Sequence, residues 1–234
     1  MIVSKEFKVQ VPTDVVRNPE IPCNVFVLYA KLIQLYYATY QKEEFKADHK
    51  ALMYHLNIGD NRTFKKSYNT LYEFNLVKNK LDSLPRKNGI TVQMNVEKLP
   101  NKDNGIMFTQ LTKNLLELIT IKKIGDIGVR IIYYIQSRIN NTKRANHGFC
   151  FASQETIAEE IGVDRKTVIK KIEELRKVKF IKVDKHELED TGQYIRKGES
   201  EILFFTKYNN HYFVREDKID EFRLKYLENM LKAE

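Results

Sequence analysis

Two stretches of the chain carry the same order of apolar positions about a hundred residues apart. Leu52, Leu56 and Ile58 fall at helical spacing, and Ile157, Ile161 and Val163 answer them at a constant offset of 105 (157 − 52). Past a turn, Phe64, Tyr68 and Leu71 correspond to Val168, Ile172 and Leu175 at an offset of 104 (168 − 64), so the first turn, Gly59-Asp60-Asn61, holds one extra residue. Upstream, residues 25–40 and 126–139 are apolar with helical period, Leu28 and Tyr29 matching Ile132 and Tyr133. The leaders correspond as well: Phe7, Val11 and Val15 line up with Phe108, Leu111 and Leu115 at offsets near 100. After each third helix the period becomes extended, over 76–81 and 89–94 around a turn at 85–89, and over 180–183 and 202–205 around a longer charged loop.

Three helices and a hairpin, present twice, predict a mainly α chain of the α+β class. The expected architecture is two tandem winged-helix domains, each with a three-helix core and a β-hairpin wing. The N-terminal domain is expected over 1–102 and the C-terminal one over 103–214, with two separate small cores and a polar linker near 99–105. Asn24 and Asp126 are candidate N-caps for the scaffold helices, Asp48 and Ser153 for the next pair, and Asp60 or Asn61 and Asp164 for the third. Residues 215–234 predict a C-terminal amphipathic helix whose stripe is Ile219, Phe222, Tyr226, Leu227, Met230 and Leu231. Docking of that stripe on the second domain is the favoured expectation and a homodimer contact the alternative.

Forty Lys and Arg against 31 Asp and Glu give a formal charge of +9 in 234 residues, which suits a polyanionic partner. No apolar run is long enough to cross a bilayer and the first residues lack a secretory signal, so no membrane association and a cytoplasmic location are expected. Cys23 and Cys150 belong to no close-spaced Cys/His set; two reduced buried thiols are expected, with a disulfide as the alternative. There is no phosphate loop, no His-Glu-x-x-His and no His-x-His pair, and the five histidines are scattered. Neither an enzyme, a cofactor nor a metal site is expected.

Around the second reading helix, Val168, Ile172 and Leu175 take one face and Lys166, Lys170 and Lys177 the opposite one. In the first copy Arg62, Lys66 and Asn69 are presented outward beside Lys65, with Glu73 in place of a lysine. A helix of this kind fits the major groove, where Arg, Lys and Asn reach base edges and neighbouring cations contact phosphates. Arg62 and Asn69 are candidates for base reading in the first copy. In the second, Arg165, Lys166, Thr167 and Lys170 are the base-proximal set, and Lys171 and Lys177 the phosphate contacts. Arg86, Lys87, Arg196 and Lys197 are expected to reach the DNA backbone or minor groove from the wings. Winged helices also bind proteins, so a protein-binding role for one head is the competing expectation.

Residues 153–181 resemble the winged helix-turn-helix of bacterial DNA-binding proteins. The phrase Phe7-Lys-Val-Gln-Val-Pro-Thr-Asp-Val-Val, followed by Val25-Phe-Val-Leu-Tyr-Ala-Lys-Leu, is similar to the openings of winged-helix replication proteins of Gram-positive plasmids and phages, including RepA-type initiators and DnaD-like proteins. That resemblance implies recognition of repeated origin sequences in double-stranded DNA and recruitment of host replication proteins, without catalysis by the chain. A transcriptional regulator of the same architecture is the second reading.

Overall fold

The computed structural model describes residues 7–87, 89–101, 103–142, 145–185, 189–197, 200–206 and 210–232, with the backbone alone for 140–142, 145–147, 189–197 and 200–206. The first half runs β1 (Lys8–Pro12), α1 (Thr13–Val16), α2 (Cys23–Ala38), β2 (Glu44–Ala47), α3 (His49–His55), α4 (Asn61–Glu73) and β3 (Ile90–Gln93). The second runs β4 (Phe108–Thr112), a 3-10 turn (Lys113–Leu116), α5 (Leu118–Arg138), β5 (Asn140–Thr142), β6 (Ala145–His147), α6 (Gln154–Ile161), α7 (Arg165–Lys177), β7 (Ile181–Asp184), β8 (Glu189–Lys197), β9 (Ser200–Thr206), β10 (His211–Val214) and α8 (Glu216–Leu231). The result is mainly helical with small antiparallel two-stranded sheets.

The repeat shows in the backbone as well as in the side chains. Left-handed residues recur at matching places: Asn57 and Gly162 at φ 55 and 65 end the first helix of each helix-turn-helix pair, and Asn75 and Lys179 at φ 56 and 64 follow the second. Asn and Gly tolerate this region best, and Lys179 holds it because the chain must turn there in both copies. Asp48, Asp60, Ser153 and Asp164 cap their helices through their side chains, as the sequence predicts. Asn24 does not: Pro22 holds the N-cap position, and the Asn24 amide donates to Ser67 Oγ at 2.8 Å, tying α2 to α4. The second scaffold helix breaks at Gly125 (φ 70) and restarts at Asp126, but 118–124 are helical too, which the sequence did not lead us to expect.

The two leaders pair with each other. Lys8 faces Thr112, Val9 faces Leu111, Gln10 faces Gln110, Val11 faces Thr109 and Pro12 faces Phe108. This register is symmetric under the leader offset of 100: the equivalent residues Gln10 and Gln110 sit opposite each other at the centre, with a 3.4 Å side-chain hydrogen bond between them. An antiparallel pair of equivalent strands is what a local two-fold axis produces. The same exchange occurs at depth, where Arg130 of α5 donates to Val16 O of the first leader and Lys31 of α2 donates to Leu116 O of the second. Phe26 of α2 and Tyr133 of α5 meet edge to face at 5.4 Å on this seam. Two separate cores were expected, yet the buried residues of both halves form one continuous cluster through α2 and α5. The amphipathic pattern shows that a face is buried, but not whether it is buried within its own half.

The hairpins also differ from expectation. In the first half Ile90–Gln93 pairs mainly with Glu44–Ala47, and 76–81 contributes only a Val77–Met94 bridge, because the Asn79 side chain takes the ladder position by accepting from Gln93 N at 2.8 Å. In the second half Ile181–Asp184 pairs with His211–Val214, not with 202–205; that segment pairs with β8 in a hairpin of its own. Cys150 bridges Tyr212, so each half carries the same three-stranded connection, and the β8–β9 hairpin is an extra arm grown from the second wing.

Helix α8 docks by its first two turns. Glu216 binds Thr112 N and, at 2.7 Å, Lys8 Nζ; Asp220 accepts from Thr112 Oγ1 and Asn114 Nδ2, both at 2.7 Å; Ile219 is buried and Phe222 meets Phe180 edge to face. Past Phe222 the helix leaves the body and its apolar residues are exposed.

Candidate nucleic-acid interface

The α6–α7 pair is built for rigidity. Ser153 Oγ accepts from Thr156 N at 3.0 Å, Gly162 ends α6 in the left-handed region, and Asp164 accepts from Thr167 N at 3.1 Å to open α7. Val168, Ile172 and Leu175 are buried, which fixes the rotation of α7 about its axis. Arg165, Lys166, Lys170 and Lys177 are left exposed on the opposite side, and no carboxylate lies in the helix's first turn beyond its cap. Such a ridge meets a polyanion without first having to break an internal ion pair.

Lys171 does not belong to that ridge. Its ammonium pairs with Glu174 at 2.7 Å, lies against Gly125 of α5 and holds the Glu174 carboxyl below its ordinary range. It is a brace between α7 and the scaffold helix, not the phosphate contact expected from the sequence. Thr167 is half-buried at the cap. The other cation of the last turns, Arg176, is paired with Glu173 at 2.7 Å.

In the first half Asp60 caps α4 through Thr63 N (2.8 Å) and Thr63 Oγ1 (2.7 Å), bonds that hold its carboxyl below the usual range. Arg62 and Lys66 are exposed. Asn69, expected to read bases, instead donates to Leu81 O (3.1 Å) and accepts from Leu81 N (2.8 Å), replacing a backbone partner for the chain leading to the wing. Lys65 donates to Asp82 O beside it. Both residues hold the wing's root. Asn69→Ala is therefore expected to cost about 1 to 3 kcal/mol of stability by leaving the Leu81 backbone unpaired. Urea unfolding would show a lower midpoint, whereas a base-reading role would lower DNA affinity at unchanged stability.

Arg86 and Lys87 are exposed at the first wing turn, which folds back on β2: a side chain on Gly89 (φ 67) would sit 2.4 Å from Ala47 O. Between turn, strand and α3 lies a cleft of about 360 Å³ lined by Lys46, His49 and Lys50 with Arg86 and Lys87. The sequence reading missed Lys46 and Lys50. The alternation of residues 44–47, outward at Lys46 and inward at Phe45 and Ala47, was the available signal. In the second half Arg196 and Lys197 end β8 at the tip of the extra arm; their side chains lie outside the described residues.

Residues 142–181 match a helix-turn-helix domain family. The match spans the approach to α6, the turn and all of α7, the segment that carries the exposed cationic ridge, and it supports DNA binding by the second half. Comparison with curated proteins and with solved structures found no match. Among the described residues no helix is long and apolar enough to cross a membrane.

Proposed function

We propose that the chain is a cytoplasmic, sequence-specific double-stranded DNA-binding protein made of two winged-helix heads, 1–102 and 103–214, in the service of plasmid or phage replication initiation. The observation that carries DNA binding is the exposed set Arg165, Lys166, Lys170 and Lys177 on a helix whose opposite face is locked into the core, within the helix-turn-helix match. Its first-half counterpart is smaller, Arg62 and Lys66 on α4, helped by the cationic cleft of Lys46, Lys50, Arg86 and Lys87. The local two-fold favours two half-sites of opposite direction within one binding site, because it relates the scaffold helices on which the heads are mounted. The initiator reading, with host replication proteins as partners, rests on the leader phrase. Regulation of transcription is the second reading, since the helix-turn-helix match serves it equally.

A footprint on DNA from the chain's own source tests both. Protection of repeats that support autonomous replication of linked DNA is the expected result; protection of a promoter without replication favours the regulator. Lys166→Ala with Lys170→Ala is expected to weaken specific binding and to flatten the dependence of log K on log salt by about 2, close to one for each phosphate left without its cation. An unchanged slope and affinity would remove α7 as the reading helix.

A further inference from the structure

The end of α8 is an apolar helix with no neighbour among the described residues. Leu224, Leu227 and Leu231 are 56%, 40% and 75% exposed, and Tyr226 and Met230 flank them at 42% and 50%. Leucines spaced three and then four residues apart occupy the a, d and a positions of a heptad, the seam along which two helices interlock. We propose that this segment pairs with the same segment of a second copy of the chain, in parallel and in register.

The flanking charges choose the occupant and its direction. With Leu224 at a and Leu227 at d, Arg223 falls at g and Glu228 at the following e, five residues later. In a parallel pair the g residue of one helix meets the next e residue of the other, so Arg223 of each copy faces Glu228 of its mate, and the contact forms twice. Among the described residues neither side chain forms an ion pair, whereas Lys218 and Lys225 on the far side both pair with Glu221. An antiparallel pair would bring the two Glu228 carboxylates together near its axis. Home docking does not compete, because it uses Glu216, Ile219, Asp220 and Phe222 of the preceding turns.

Sedimentation equilibrium of the full chain between about 1 and 500 µM tests the proposal, since association of so short a seam depends on concentration. The average mass is expected to rise from that of one chain towards two. Leu227→Lys is expected to remain a single chain throughout; as the residue lies beyond the docked turns, a circular dichroism spectrum unchanged from that of the parent would verify its fold. Arg223→Glu alone and Glu228→Arg alone are each expected to weaken pairing about tenfold, and the two together to restore it. Leu231→Cys is expected to cross-link to itself under mild oxidation, since equivalent a positions face each other only in a parallel pair. A parent chain that stays single at the highest concentration overturns the proposal and leaves the stripe to a different protein. Undiminished pairing of Leu227→Lys overturns the surface, and failure of the double exchange to restore pairing overturns the parallel register.

Discussion

Arg130→Ala is expected to lower stability by about 3 to 5 kcal/mol, the range found when one partner of a buried charged contact is removed. Arg130 is fully buried at the seam between the halves. Its guanidinium donates to Val16 O at 3.3 Å, to Asn18 O at 2.6 Å and to Ile21 O, and lies 5.4 Å from the centre of the Phe26 ring. No carboxylate forms a salt bridge with it among the described residues, and burial pushes its pKa down from the ordinary arginine value. The charge is carried by backbone dipoles of the loop that leads from α1 to α2. Truncation leaves three carbonyls without donors in an apolar setting, and a cavity beside Phe26. Arg130→Met separates the two causes, since it restores most of the volume but none of the hydrogen bonds. Thermal unfolding should show both variants melting about 10 °C below the parent, by the scaling for domains of this size. If the methionine variant melts within about 2 °C of the parent, the loop is held by packing alone.

Gly162→Ala is expected to cost about 2 to 4 kcal/mol, although alanine is the better helix former. Two effects add. The residue sits at φ 65, where a Cβ is disfavoured by about 1 kcal/mol or more. That Cβ would also lie 2.1 Å from Pro19 O, a backbone atom of the loop that Arg130 clamps. The turn of the second helix-turn-helix is thus pressed against the first half, and any side chain there pushes the two apart. Gly59, in the corresponding turn of the first half, has no atom within 4 Å of the same construction. Gly59→Ala should change stability by no more than about 0.5 kcal/mol, which makes it the control. Equal effects of the two substitutions in chemical denaturation would show that the contact with Pro19 is not what demands glycine.

Much of the fold was legible because periodicity and capping are local. The spacing of Phe64, Tyr68 and Leu71 and of Val168, Ile172 and Leu175 fixes which face turns inward, and Asp48, Asp60, Ser153 and Asp164 mark where helices begin. What escaped was pairing across distance. Nothing in Phe7 to Val15 says that its strand partner is the other leader, and the polar alternation of 189–197 hides an arm that takes 202–205 away from the wing. The reading face was legible for Lys166 and Lys170, which stay exposed on the outer side of α7. It was misleading for Asn69, Lys65 and Lys171, which look outward on a helical wheel but are claimed by Leu81, Asp82 and Glu174. A wheel places a side chain by angle and takes no account of neighbouring acceptors.

The symmetric pairing of Gln10 with Gln110 lies within one polypeptide. A homodimer with the same axis would be bound to carry every mutation on both sides, and so would be confined to palindromes. Here the two sides have drifted: one helix spends Asn69 and Lys65 on bracing its own wing, while the other keeps four exposed cations. A single gene can therefore hold the geometry of a dyad while each side answers to a different word of sequence.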